Sequence, residues 1–335
     1  SLPFSEVLAN AGKGLALLAR SFLYILVPVV LYGVVCLFRE RRGLCLGLVA
    51  SAVLCFLYAV NYSIPDIEAY YLPCLVALAV FFGIGLQAVL GRLGRWRHVG
   101  WVAGVAALVL GYPVSSRRDF FVSRDQALNT LASADSNAII LTDWWDVYSP
   151  VFYLQHIEGL RPDVCIIDKE LVRRSWYFKY LERVYPWLLE DSRPELDTYL
   201  RFLNEFEHGR LKDPEGIQRA FIRVLESFVE RNPDRPAYAT FSPGSGLDAG
   251  QMFQDRVWVP VGLLYELRTD TVVPAFDYSQ FTVRVPRRPD ARTRANLYRY
   301  QMFCRDRVQT LIKTGRRAEA EQVAQWYRLV LESPK

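Results

Sequence analysis

Histidine is scarce in this chain: three residues in 335, scattered at His98, His156 and His208. Cysteine offers little more. Cys36, Cys45, Cys55 and Cys74 lie in or beside long apolar stretches, which leaves only Cys165 and Cys304, far apart in sequence. These spacings make neither a zinc site nor a disulfide framework, so no protein metal site is expected, although carboxylates remain able to hold a divalent cation. No stripe of Lys and Arg interleaved with aromatics is present. The net charge of +5 is matched by six arginines in two short loops, so it reads as a topology signal rather than as nucleic-acid binding. A basic-then-apolar signal peptide is also lacking. The chain opens Ser1-Leu2-Pro3-Phe4 without an initiator Met and reads as a piece of a longer polypeptide.

What is present is apolar length. Four stretches in the first 115 residues, at 15–38, 44–60, 69–90 and 99–114, predict about four transmembrane helices, with Pro28 kinking the first and Arg20 snorkelling from it. No ionisable residue sits near the middle of a span, which argues against a transporter. The loops at 39–42 and 92–98 are basic. The loop between them, 61–71, has no Lys or Arg and carries Asp66 and Glu68. Basic short loops stay cytoplasmic, so the acidic loop faces outward, and four spans place the remainder outside as well. The fourth stretch decides this, because three spans would leave the remainder in the cytoplasm.

Beyond Arg118 the pattern is that of a soluble α/β domain. Strand-like runs at 137–141, 163–167 and 237–241 alternate with helical patterns at 121–131, 148–158, 173–185, 194–208 and 214–231, which predicts a parallel sheet. A run at 257–267 is followed by a β-leaning run at 271–285. Two helices, 293–313 and 316–331, close the chain as a hairpin about Gly315 that resembles one tetratricopeptide-type unit. A solenoid needs about three such repeats, so a packing hairpin is the simpler reading. The organisation expected is 1–115 transmembrane, 116–290 soluble α/β and 291–335 helical hairpin.

Three groups of residues bear on chemistry. Asp66 and Glu68, just outside a membrane, have the character of a general base or of a cation-holding pair beside a lipid-linked phosphate. Tyr70 and Tyr71 suit either a sugar-lining surface or an interfacial belt. Asp143 and Asp146, in Thr142-Asp143-Trp144-Trp145-Asp146, fall where a strand gives way to a helix; ligands gather there in open α/β sheets, and helix N-caps form there too. Arg161, in Gly159-Leu160-Arg161-Pro162-Asp163, pairs with Asp163 or binds an anion through its planar fork.

Two motifs carry a resemblance. Asn61-Tyr62-x3-Asp66-x3-Tyr70-x-Leu72-Pro73 resembles an outer loop and following helix of multi-pass GT-C-type glycosyltransferases. This family includes uncharacterised bacterial members and a eukaryotic transmembrane protein O-mannosyltransferase. The ordered set Asp143–Asp146, Tyr153-Leu154-Gln155, Gly159–Val164 and Trp176-Tyr177 resembles the soluble part of that family, as does 259–265. Thr142 and two tryptophans depart from the Gly-Asp-Asn-Asp-type run often found there. The resemblance implies sugar transfer from a polyprenyl-phosphate donor to a protein or glycan acceptor, at the outer face of a bacterial inner membrane with the soluble domain periplasmic. Asp66 and Glu68 would then be the catalytic carboxylates in this chain, and Tyr70, Tyr71, Asp143, Asp146 and Arg161 would bind substrate. The main catalytic loop of GT-C enzymes lies further toward the amino terminus and is not in this chain. No cofactor is implied beyond a divalent cation. The alternative is a membrane-anchored binding or assembly module without transfer activity.

Overall fold

The structure is a computed structural model and describes residues 3–64, 67–92, 94, 99–243 and 250–332. It divides into two compact units, Ser1–Ser116 and Arg117–Lys335.

The first unit is helical: α1 (Phe4–Ser21), α2 (Val27–Glu40), α3 (Arg42–Val60), a 3-10 turn (Ile67–Tyr71), α4 (Leu72–Arg92) and α5 (Val99–Ser115). The single helix expected over 15–38 is two helices. Leu23 and Tyr24 adopt φ of 52° and 55°, which turns the chain, and α2 restarts with Pro28 in its first turn. Proline there loses no hydrogen bond, because first-turn N–H groups have no intrahelical partner. Pro28 therefore begins a helix instead of kinking one. Among the described residues, two helices are long and apolar enough to cross a membrane, Arg42–Val60 and Ile67–Arg92, where four were expected. α5 has 17 residues, at the lower limit of what spans a hydrocarbon core of about 30 Å.

The packing of α2 on α4 depends on two glycines. A Cβ on Gly33 would overlap the carbonyl of Phe81, and one on Gly85 would overlap that of Val29. Removing side chains lets backbones approach, the usual basis of helix association in apolar surroundings. Val30, Leu37, Ala77 and Phe81 fill the contact, and Cys45 of α3 joins the same buried cluster. α1 is held separately, with Gly14 against the ring of buried Tyr71.

The second unit is built on a five-stranded sheet of order β2-β1-β3-β5-β4. β1 (Ile139–Thr142), β2 (Cys165–Asp168) and β3 (Ala237–Ala239) run parallel, registered Ile139↔Cys165, Thr142↔Asp168 and Ile139↔Ala237. β4 (Val257–Val261) and β5 (Leu264–Arg268) form an antiparallel hairpin, and β5 pairs antiparallel with β3. The sheet is thus mixed rather than wholly parallel. The 257–267 run looks continuous in sequence but turns back at Gly262, whose φ of 58° suits a tight hairpin. Pro260, which lacks a ladder donor, lies on the edge strand.

Around the sheet stand α6 (Val122–Ser133), α7 (Trp145–His156), α8 (Ser175–Val184), α9 (Pro186–Asp191), α10 (Arg193–Glu207) and α11 (Pro214–Glu230). β1 and β2 are buried throughout, which accounts for their unbroken apolar runs. A second core joins Val259 and Tyr265 to Tyr300, Phe303 and Leu311 of α12 (Ala291–Lys313), with α13 (Arg317–Tyr327) folded back at Gly315. The β-leaning segment 271–285 forms no strand. Its Val273, Tyr278, Phe281 and Val283 plug this second core instead. Arg307, only 1% exposed, donates to the carbonyls of Pro260 and Pro274 and so ties hairpin and segment to α12.

Candidate functional site

In the first unit, α1, the Tyr62–Ile64 stretch and the 3-10 turn enclose a pocket of about 480 Å³. Asn10, Lys13 and Arg20 line it from α1, and Glu68 and Tyr71 line it from the turn. Lys13 and Arg20 are seven residues apart and so share a helix face. Asn10 donates through Nδ2 to the carbonyls of Val60 and Tyr62, both at 3.3 Å, and fixes α1 against the end of α3. The pocket therefore combines two cations, a carboxylate and phenol rings beside an apolar helical core.

The two tyrosines of the motif separate. Tyr71 is 2% exposed and lines the pocket, whereas Tyr70 is 39% exposed and stacks with Tyr58 and Tyr62 at 6.1 and 5.9 Å between ring centroids. Tyr70 lines a shallower apolar depression with Leu54, Cys55 and Pro73. Asp66 lies outside the described residues. Sequence reasoning missed the pocket role of Asn10, Lys13 and Arg20. The available signal was their placement at i, i+3 and i+10 along α1, where Glu6 is the one further charge.

In the second unit, Asp143 and Asp146 stand at the carboxyl end of β1, where ligands collect in open α/β sheets. α12 reaches this end with Arg292, Asn296 and Arg299. Arg299 donates to the carbonyl of Thr240 at 3.1 Å, lies 3.7 Å from Asp143 Oδ1 and stacks 4.0 Å over the Trp144 ring. Trp144 Nε1 donates to Asn296 Oδ1 at 3.2 Å, and Arg292 is 3.4 Å from Asp146 Oδ1. Neither aspartate caps α7; its first residues follow Trp144, whose N–H is accepted by the Thr142 hydroxyl at 3.1 Å. Thr240 places its hydroxyl 2.9 Å from that of Thr142 and 3.3 Å from Asp143 Oδ1. Burial pulls the Arg299 guanidinium below its usual range, opposed by Asp143 and Asp146. Nearby Asp168 is raised by burial, against the backbone N–H groups of Leu171 and Glu170 that it accepts. The end of β1 is thus a cross-linked polar cluster with its carboxylates held by arginines.

Arg161 is elsewhere, at the amino end of the strands. With four-residue strands rising about 3.3 Å per residue, it is a sheet's length from Asp143. Its fork holds both Asp163 oxygens at 2.9 and 3.0 Å and donates to the carbonyls of Leu131, Ala134 and Asp135 at the end of α6. The geometry is the local ion pair, extended into a helix clamp. Hydrogen bonding from Arg161 lowers Asp163 to about 2. Among the described residues, no three His, Cys, Asp or Glu side chains converge on a position for a metal ion.

An apolar helical unit joined to a mixed α/β domain with a polar strand-end cluster defines the class. The comparisons narrow it. Residues 123–186, from α6 to the start of α9, match the family described as TMEM260-associated domain 2. Over 174 residues the chain is 29% identical to the protein O-mannosyl-transferase TMEM260 of Mus musculus, covering 45% of this chain and 25% of the mouse protein. The chain spans about a quarter of the length of that curated relative. No solved structure matches. The two similarities support an O-mannosyltransferase-like resemblance, and the stretch matching the family contains Asp143, Asp146 and Arg161.

Proposed function

We propose that this chain is part of a membrane glycosyltransferase of GT-C type that moves a sugar from a polyprenyl-phosphate donor to a protein or glycan hydroxyl. The observation that carries this reading is the pocket of the first unit, where Lys13 and Arg20 face Glu68 and Tyr71. The donor's phosphate is the leaving group, and cations on one wall suit its charge. The acceptor oxygen bonds to the sugar's anomeric carbon, the bond from that carbon to the phosphate oxygen breaks, and a carboxylate takes the hydroxyl proton. Glu68, with Asp66 from the same loop, supplies that base or orients the acceptor. Tyr71 borders the sugar within this pocket, Tyr70 presents its ring on the separate apolar depression beside Leu54 and Pro73, and Asp143 and Asp146 shape an acceptor surface through their arginine partners.

The outward setting, with the α/β domain on the periplasmic side of a bacterial inner membrane, draws support from the basic 39–42 and acidic 61–71 loops and requires α5 to cross. The alternative, a membrane-anchored assembly module, draws support from the engagement of Asp143 and Asp146 by α12. Transfer of labelled sugar from polyprenyl phosphate by the full-length protein separates the two. Glu68→Gln and Asp66→Asn are expected to reduce transfer; an assay with wild-type protein that yields none, while an acceptor protein still binds, favours the module.

A further inference from the structure

The solvent side of α7 is unusual for a soluble domain. Its exposed positions are Trp145, Ser149, Phe152, Tyr153 and His156, with Ile157 next, and none is Asp, Glu, Lys or Arg. Trp145 is 55% exposed and Ile157 70%. Ring contacts carry this surface across to α8: Trp145 touches Tyr148, Tyr148 touches Tyr177, and Tyr177 touches Trp176, itself 57% exposed. Phe152 and His156 both meet Tyr180, whose hydroxyl is 2.9 Å from His156 Nε2. The platform is therefore rigid, because its exposed rings are braced by buried ones. Its rim is charged. Lys179 and Arg183 follow Trp176 at i+3 and i+7 on α8, with Glu182 between them, Arg174 just ahead, and the Arg124–Glu158 pair beside the end of α7.

We propose that the α7–α8 face is a bilayer-surface anchor that seats Trp145, Phe152, Ile157 and Trp176 in the lipid headgroup region. The proposal rests on the membrane-crossing reading of α3 and α4 and is independent of sugar transfer. Three considerations select lipid as the occupant. Large exposed apolar side chains gathered along one helix face mark an interaction surface. Trp and Tyr with an apolar body and a polar tip, flanked by Lys and Arg, are the side chains that settle at a membrane interface, the cations toward anionic headgroups. And this unit is joined covalently to helices able to cross a bilayer, so the surface is held near it at high effective concentration and needs little intrinsic affinity.

The test places an environment-sensitive fluorescent amino acid at Ile157 of the full-length protein in nanodiscs of phosphatidylcholine and phosphatidylglycerol. Matching probes at Leu54 on α3 and at Glu215 on α11 serve as references. The expected result is quenching at Ile157 by headgroup-nitroxide lipid with loss of most iodide quenching, while Glu215 stays open to iodide and Leu54 is quenched by deep-chain nitroxide. Trp176→Glu with Phe152→Glu should return Ile157 to iodide. Iodide quenching of wild-type Ile157 equal to that of Glu215 overturns the proposal. So does shielding that appears only on adding an acceptor polypeptide, or only when two copies share a disc. Failure of Leu54 to respond to deep nitroxide overturns the membrane reading and the anchor with it, whereas absent sugar transfer leaves the anchor result standing.

Discussion

Arg299→Ala should destabilise the α/β unit more than any surface change, and the structure gives the size. The side chain is 15% exposed and makes three kinds of contact: a charge-assisted hydrogen bond to the Thr240 carbonyl, an ion pair with Asp143, and a stack over Trp144. A hydrogen bond to a charged group contributes about 1.5–3 kcal/mol, and a desolvated cation–aromatic stack about 2 kcal/mol. These do not add freely, since all three disappear together. The larger consequence is the Asp143 carboxylate, 21% exposed, left without its cation and with the Thr240 hydroxyl as its neighbour. Breaking one side of a buried pair costs about 3–5 kcal/mol, and that figure is the expected total. In a domain of this size about 1 kcal/mol moves the melting midpoint by about 2–4 °C, so a fall of about 6–20 °C is expected. Differential scanning fluorimetry of the full-length protein in detergent measures it. Arg299→Ala combined with Asp143→Asn should recover part of the loss, because the orphaned charge is gone. A midpoint within about 2 °C of wild type for Arg299→Ala would refute the cluster as a structural cross-link.

Other consequences can be measured separately. Arg161→Ala should lower stability by about 1.5–3 kcal/mol through loss of its bonds to Asp163 and the α6 carbonyls, read by urea unfolding. Because Asp163 is lowered to about 2 in the folded chain, its contribution is present above the ordinary carboxylate range near pH 4 and is lost as pH falls toward 2; Arg161→Ala should flatten that acid limb. Gly85→Val should cost about 2–3 kcal/mol or prevent assembly of α2 on α4, since the new side chain meets the Val29 carbonyl. Reporter fusions after His98 and after Asp119 should report cytoplasm and the outer side respectively; cytoplasm at both would show that α5 does not cross.

Much of the α/β unit was legible because its strands are buried on both faces. Apolar runs ending at Thr142 and Asp168 announce β1 and β2 without any partner information, and regular helical spacing announces α10, α11 and α12. The hairpin of β4 and β5 was hidden by composition, since Gly262-Leu263 turns a continuous apolar run without a polar break. Segment 271–285 has strand-like residues but fills a gap in a core, an outcome set by tertiary packing rather than local preference. The division of 15–38 into two helices turned on two positive φ angles that Leu23 and Tyr24 rarely adopt, and no residue type signals them.

The polar sites were less legible for a related reason. Asp143 and Asp146 were visible as acidic residues at a strand end, but Arg299 and Arg292 approach them from about 150 positions away, and one sequence holds no record of that meeting. Arg161 could be paired with Asp163 by proximity; its grip on the end of α6 could not. In the first unit, Arg20 read as an ordinary interfacial cation and Lys13 drew no reading, because only the turn carrying Glu68 and Tyr71 makes a pocket of their helix face.

The central claim is that this pocket holds the phosphate of a lipid-linked sugar during transfer. Initial rates of transfer from labelled polyprenyl-phosphate sugar by the full-length protein, taken over a range of donor concentrations, test it most directly. Each charged contact to a phosphate contributes about 1.5–3 kcal/mol, so Lys13→Ala and Arg20→Ala should each lower kcat/KM for the donor by about 10- to 100-fold while leaving that for the acceptor nearly unchanged. Unchanged donor kcat/KM in both variants, in protein that still transfers sugar, would contradict the account.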